Sequence, residues 1–137
     1  MKITKKLMTG ICTLALALMA QNLWAVTAQD FTAESFTKDR DSGAAVVVDI
    51  YADWCPTCKK QATDLTKILK DKSFKNVKLY KLDYDQKDLV QEFSKLIDRP
   101  IPRQSTIVVF KNKKLKEFSV AQTGEELVTK ITEALKN

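Results

Sequence analysis

The sequence predicts a single-domain α/β protein with a mixed central β-sheet flanked by helices. Three observations carry this. Val46-Val47-Val48-Asp49-Ile50-Tyr51 and Thr106-Ile107-Val108-Val109-Phe110 are short runs rich in β-branched residues, of the kind buried inside a sheet. Around them, apolar residues recur at the three-and-four spacing of amphipathic helices. Along the chain the patterns follow the order helix, strand, helix, strand, helix, strand, strand, helix, with the last two strands joined as a hairpin.

Residues 1–28 read as a leader. Lys2, Lys5 and Lys6 precede an apolar core over 11–20, and small residues follow before a polar, acidic stretch, which is the order of a secretory signal peptide. The apolar run is short for a bilayer span, so no stable membrane insertion is expected after leader removal. Cleavage can follow Ala20, Ala25 or Ala28, and Val26-Thr27-Ala28 best fits small residues at both recognition positions. The domain is then 29–137 and its location secreted, in a periplasm. Cys12 precedes the apolar core, which argues against a lipoprotein site, and it leaves with the leader. Three lysines and no acid go with it, so the formal charge of +6 falls to +3.

In the domain, Phe31-Thr32-Ala33-Glu34-Ser35-Phe36 has a helix-start pattern, with Thr32 as N-cap and Phe31 placed to staple against Phe36. That helix should end near Asp41-Ser42-Gly43. The strand 46–51 follows, then a polar turn and a helix from Cys55 to about Asp71, with Cys58, Ala62, Leu65, Ile68 and Leu69 on its apolar face and lysines and Asp64 on the others. Val77-Lys78-Leu79-Tyr80-Lys81-Leu82 reads as a second central strand. Asp85 can cap a helix whose apolar face is Leu89, Val90, Phe93, Leu96 and Ile97. The strand 106–110 turns through Lys111-Asn112-Lys113-Lys114 into its partner 115–120. Thr123 with Glu126 makes a capping box for the last helix, which carries Leu127, Val128, Ile131 and Leu135.

Chemistry concentrates in Cys55-Pro56-Thr57-Cys58, where strand gives way to helix. Two thiols separated by two residues can close a small ring. Cys55 falls at the N-cap with Pro56 at the first helical position, where a missing N–H does no harm. The helix N-terminus, with Lys59 and Lys60 nearby, should lower the Cys55 pKa, while Cys58, one turn in, should be more buried and protonated. After leader removal these are the remaining cysteines, so no structural disulfide is left over. The chain has no histidine, which excludes histidine-based triads and metal sites, and a structural zinc would need two further ligands. No metal or cofactor is expected: Gly10, Gly43 and Gly124 cannot assemble a phosphate-cradling loop. Arginine is limited to Arg40, Arg99 and Arg103 and the lysines are interleaved with acids, so no nucleic-acid surface is expected.

The segment Val48-Asp49-Ile50-Tyr51-Ala52-Asp53-Trp54-Cys55-Pro56-Thr57-Cys58-Lys59 resembles the active-site segment of the thioredoxin superfamily. Tyr51-Ala52-Asp53-Trp54-Cys55 is especially similar to periplasmic thioredoxin-like domains of the Dsb system. The resemblance covers about the last hundred residues. It implies a thioredoxin fold and a thiol–disulfide oxidoreductase in which Cys55 attacks and Cys58 resolves, supported by Pro56 and Thr57 between them. An acid at the position of Asp49 lies beneath the sulfurs in this family and exchanges a proton with the resolving cysteine, and Lys81 aligns with the lysine that partners it. Trp54 is placed either beside the sulfurs or in the rim of the core.

The sequence departs from the family at the loop before the strand at 106. A cis-proline usually stands there, exposing backbone to a substrate strand. Either Ser105 fills that place, with Thr106 beside it as substrate-binding residue, or the loop holds an insertion and Pro102 is the cis residue. Lys113 and Ala121 stand where the family has glycines, and Thr63 where it has a mid-helix proline. The Asp49 acid and the Ala-Asp-Trp context resemble reducing family members. Expected partners are disulfide-containing or dithiol proteins, with a membrane thiol carrier as electron donor. The alternative is a binding module that uses the paired thiols for a soft metal or a partner protein.

Overall fold

The computed structural model describes residues 26–137. Most of the expected leader, with Cys12, lies outside the described residues. A five-stranded mixed sheet forms the middle layer, with strand order β1-β3-β2-β4-β5. Its strands are β1 (Ala28–Asp30), β2 (Val46–Tyr51), β3 (Lys78–Asp83), β4 (Thr106–Lys111) and β5 (Lys114–Val120). The helices are α1 (Ala33–Asp41), α2 (Pro56–Leu69), α3 (Lys87–Leu96) and α4 (Gly124–Lys136). Among the described residues no helix is long and apolar enough to cross a membrane.

The three middle strands alternate their side chains between two cores. Val46, Val48 and Ile50 of β2 face an aromatic layer under α1 and α3, in which Phe36 meets Phe93 at 5.2 Å and Phe110 at 5.4 Å. Val47, with Ile107 and Val109 of β4, faces the aliphatic layer formed by Leu65, Ile68 and Leu69 of α2 and Leu127, Ile131 and Leu135 of α4. Asp49 shares the Val47 face by the same alternation, so its carboxylate enters the α2 side of the molecule. Phe31 and Phe36 form the expected staple, 5.8 Å between ring centroids, and Thr32 Oγ1 accepts the Ser35 N–H.

The structure corrects several local expectations. β1 carries no apolar alternation and its three residues are exposed; parallel pairing with Leu79–Lys81 alone makes it a strand. Ala28, the proposed leader end, is its first residue. The helix carrying the cysteines stops at Leu69, and Asp71 caps a separate 3-10 turn, Lys72–Phe74, by accepting the Ser73 N–H. At α3 the N-cap is Gln86 rather than Asp85, without a side-chain bond. The capping box at α4 does not form either: Thr123 makes no side-chain cap, and Asp64 Oδ2, reaching across from α2, accepts the Gly124 N–H at 2.7 Å. Asp64 is therefore buried rather than on a solvated face.

The β4–β5 hairpin closes with Lys111 opposite Lys114, leaving Asn112 and Lys113 as a two-residue loop, both at positive φ (53° and 67°). That is the requirement of a type I′ turn, which asparagine tolerates and lysine resists. Replacing Lys113 with glycine should therefore raise stability by about 0.5–1 kcal/mol, read as a higher midpoint in thermal unfolding with unchanged far-ultraviolet dichroism. An unchanged or lower midpoint contradicts this account of the turn.

Candidate active site

Three segments meet at one end of the sheet. β2 runs into the turn 52–55, and because β4 is antiparallel to it, with Thr106 opposite Ile50, the loop leading into β4 lies at the same end. Val120 of β5 pairs with Thr106, which brings the 121–123 connection there as well.

Cys55 is the N-cap of α2, with extended backbone (φ −93°, ψ 109°) and Pro56 opening the helix. Its sulfur takes the capping role that a hydroxyl or carboxylate usually has, accepting the Cys58 N–H at 3.1 Å. The two cysteines form a disulfide, with Cα atoms 5.3 Å apart. Pro56 is exposed and Thr57 half-buried. The expected difference in burial is not present with the disulfide formed: Cys55 is 2% exposed and Cys58 3%, and both pack in one buried cluster with Ala52.

Asp49 is 3% exposed, and its Oδ1 has no hydrogen-bond partner. Burial pushes its carboxyl from 3.8 up to about 6, and the charge of Lys81 pulls it part of the way back. Lys81 is the direct register partner of Asp49 in β3, yet its ammonium rests over the Tyr51 ring, 4.1 Å from the centroid. Asp49, Cys58 and Lys81 line one cleft of about 110 Å³, and Asp49 and Lys81 also line a second of about 260 Å³ that runs between α2 and β1. The structure thus brings the acid, the lysine and the second cysteine of the sequence reading together.

Trp54 does not join them. It is 61% exposed, and its Nε1 donates to Asp85 Oδ2 at 3.0 Å, so it forms an outer rim and takes up the carboxylate that was expected to cap α3. Pro102 is exposed, and every peptide bond among the described residues is trans. Ser105 stands directly before β4, fully buried, at φ 59°. Its hydroxyl donates to the Gln104 carbonyl, and Thr106 Oγ1 donates to the Arg103 carbonyl at 2.8 Å, so both side chains turn into their own loop. Ala121 is also left-handed, at φ 60°, as is Lys113; these are the two positions where the family has glycine.

One residue of this site escaped the sequence reading. Gln61, on α2, is 0% exposed, and its Nε2 donates to the Ser105 and Gln122 carbonyls at 3.0 Å each. The signal was present, since residues 58, 61, 65 and 68 form one helical stripe on which a glutamine is out of place.

The sequence profile of the family described as Thioredoxin matches residues 24–133. The chain belongs to the thioredoxin family. A thioredoxin H-type from Fagopyrum esculentum is 29% identical over 113 residues, covering 82% of this chain and 90% of that protein. Among solved structures, Trxlp from Edwardsiella tarda EIB202 matches with a TM-score of 0.66 at 29% identity, covering 80% of this chain and 98% of that one. Thioredoxin from Malassezia sympodialis gives the same TM-score at 25% identity, covering 81% and 92%. The fold is the single-domain thioredoxin fold, and the activity of the family, thiol–disulfide exchange by a paired-cysteine motif, has its two sulfurs here in Cys55 and Cys58.

A thioredoxin with a buried, raised acid has a pH-dependent stability of defined sign. Asp49 binds its proton more tightly when folded, so its contribution is fully present below about pH 4 and is lost as pH rises through about 6. The loss is on the order of 3 kcal/mol. Urea unfolding of the wild type and of Asp49→Asn, which stays neutral, should therefore diverge by that amount between pH 4 and pH 7, the wild type falling. Parallel profiles contradict the assignment.

Proposed function

We propose that this thioredoxin-family protein is an exported reductase of protein disulfides. Cys55, as thiolate, attacks one sulfur of a substrate disulfide; a mixed disulfide forms and the other substrate sulfur departs as a thiolate that picks up a proton. Cys58 then gives its proton to the Asp49 carboxylate and attacks the Cys55 sulfur. The second substrate thiolate leaves, and the Cys55–Cys58 disulfide remains. Two electrons have passed from the protein to the substrate.

The observation that carries this reading is the placement of Asp49 on the cleft shared with Cys58, with its pKa raised to about 6. A carboxyl whose pKa lies only about one unit below neutral pH is mostly ionised there, so it can take a thiol proton, and it is basic enough to hold that proton briefly and return it, which is what the resolving step requires. Lys81 holds that value from rising further. The loop that leads into Ser105 and Thr106 lies at the same sheet end as the sulfurs; since Ser105 and Thr106 are themselves buried, a substrate segment would lie against the accessible residues before them, Arg103 and Gln104, and against exposed Trp54. The leader-like residues 1–28 support export to a periplasm, with cleavage by a signal peptidase. There a membrane thiol carrier would return the two electrons.

Insulin reduction coupled to a dithiol donor tests the activity, with Cys55→Ser and Cys58→Ser as controls. Wild type should precipitate the insulin B chain, and both variants should be inactive. Expressed in cells with its leader intact, Cys58→Ser should accumulate mixed disulfides that dithiothreitol releases, whereas Cys55→Ser should not. Inactive wild type together with no trapped adducts contradicts the proposal.

A further inference from the structure

Gln61 occupies a position on α2 where its stripe neighbours Cys58, Leu65 and Ile68 are all buried, and it too is completely enclosed. Its amide carries two donor hydrogens, and two carbonyls 3.0 Å away accept them, one from Ser105 and one from Gln122. Since both partners can only accept, the nitrogen must face them, and Oε1 is left buried without a partner. An apolar residue would fill this position without burying the unpaired Oε1, so packing alone does not account for a glutamine here.

The carbonyls it binds belong to the two loops that flank the disulfide. The Ser105 carbonyl also accepts the Ala121 N–H at 2.8 Å, so Ser105, Ala121 and Gln122 are tied into one cluster through Gln61, three residues beyond Cys58 on the same helix. Both Ser105 and Ala121 hold left-handed φ angles that their side chains disfavour. Neither is glycine or proline, so the backbone has no intrinsic reason to stay in this arrangement, and the bonds from Gln61 and Ala121 supply it.

We propose that Gln61 is a positioning residue for exchange with protein substrates: it clamps the Ser105 and Gln122 loops to the helix that carries Cys55 and Cys58. The proposal rests on the reading of this sheet end as the substrate face. It assigns to a buried side chain the loop rigidity that a proline at position 105 would otherwise provide. Substrates that lean on the loops depend on the clamp, and small disulfides that touch only the sulfurs do not.

The test compares wild type with Gln61→Met, which keeps length and volume but has no donors, and with Gln61→Glu, which keeps the shape but, held protonated by burial, has one donor for two carbonyls. Each is assayed with insulin and with the small aromatic disulfide 5,5′-dithiobis(2-nitrobenzoate), and amide exchange is followed at Ala121. In both variants KM for insulin should rise about tenfold, with kcat and the small-disulfide rate within about twofold of wild type. Exchange at Ala121 should quicken about tenfold. An unchanged insulin KM, an equal loss with both substrates, or unaltered exchange at Ala121 overturns the proposal. Wild type inactive on both disulfides is seen before any variant is made; it removes the functional reading and the proposal with it.

Discussion

The Cys58 N–H pointing at the Cys55 sulfur, 3.1 Å away at the mouth of α2, is the contact on which the remaining architecture depends. It exists because a buried β-branched strand ends, a four-residue turn follows, and a proline then starts a helix whose first amides have no partner of their own. A sulfur at the N-cap meets those amides whether it is bonded to its neighbour or carries a negative charge, and it is the charged form that gains most. The sheet, the two cores and the loops fix this helix start in space.

Beneath it the same strand delivers the acid. Alternation in β2 sends Val46, Val48 and Ile50 into the aromatic layer and Asp49 toward α2, so the carboxylate lies where an aliphatic residue would be expected. Its unpaired oxygen and raised pKa are stability given up at neutral pH, and in the proposed mechanism the return is a proton acceptor on the cleft shared with Cys58. Gln61 and Asp64 repeat the theme on the facing helix. Each is a polar residue in a buried stripe, and each reaches a segment outside its own helix: Gln61 the loops at Ser105 and Gln122, Asp64 the start of α4. At the end of the sheet that holds the sulfurs, side-chain bonds to backbone thus add to the apolar packing of the two cores.

Most of this was legible in the sequence because local and global signals agree there. The β-branched runs, the Phe31 and Phe36 staple, the Pro56 helix start and the alternation that buries Asp49 each follow from short-range rules. What escaped depends on partners distant in the chain. β1 is a strand only because Lys78–Asp83 lies beside it. The cap of α4 comes from Asp64, sixty residues earlier, in place of Thr123 and Glu126, and Asp85 abandons its own helix for Trp54. Of the two candidates for the loop before β4, Ser105 directly adjoins the strand and Pro102 is on the surface, three residues earlier. The role of Gln61 could not be read without knowing which carbonyls surround it.

The most direct measurement is the rate of iodoacetamide alkylation of the fully reduced protein as a function of pH, with the modified residue located by peptide mass. The account predicts that Cys55 alone reacts at neutral pH and titrates well below the ordinary cysteine value of about 8.5, while Cys58 stays unreactive until higher pH. Two thiols alkylated together, both titrating near about 8.5, would contradict it.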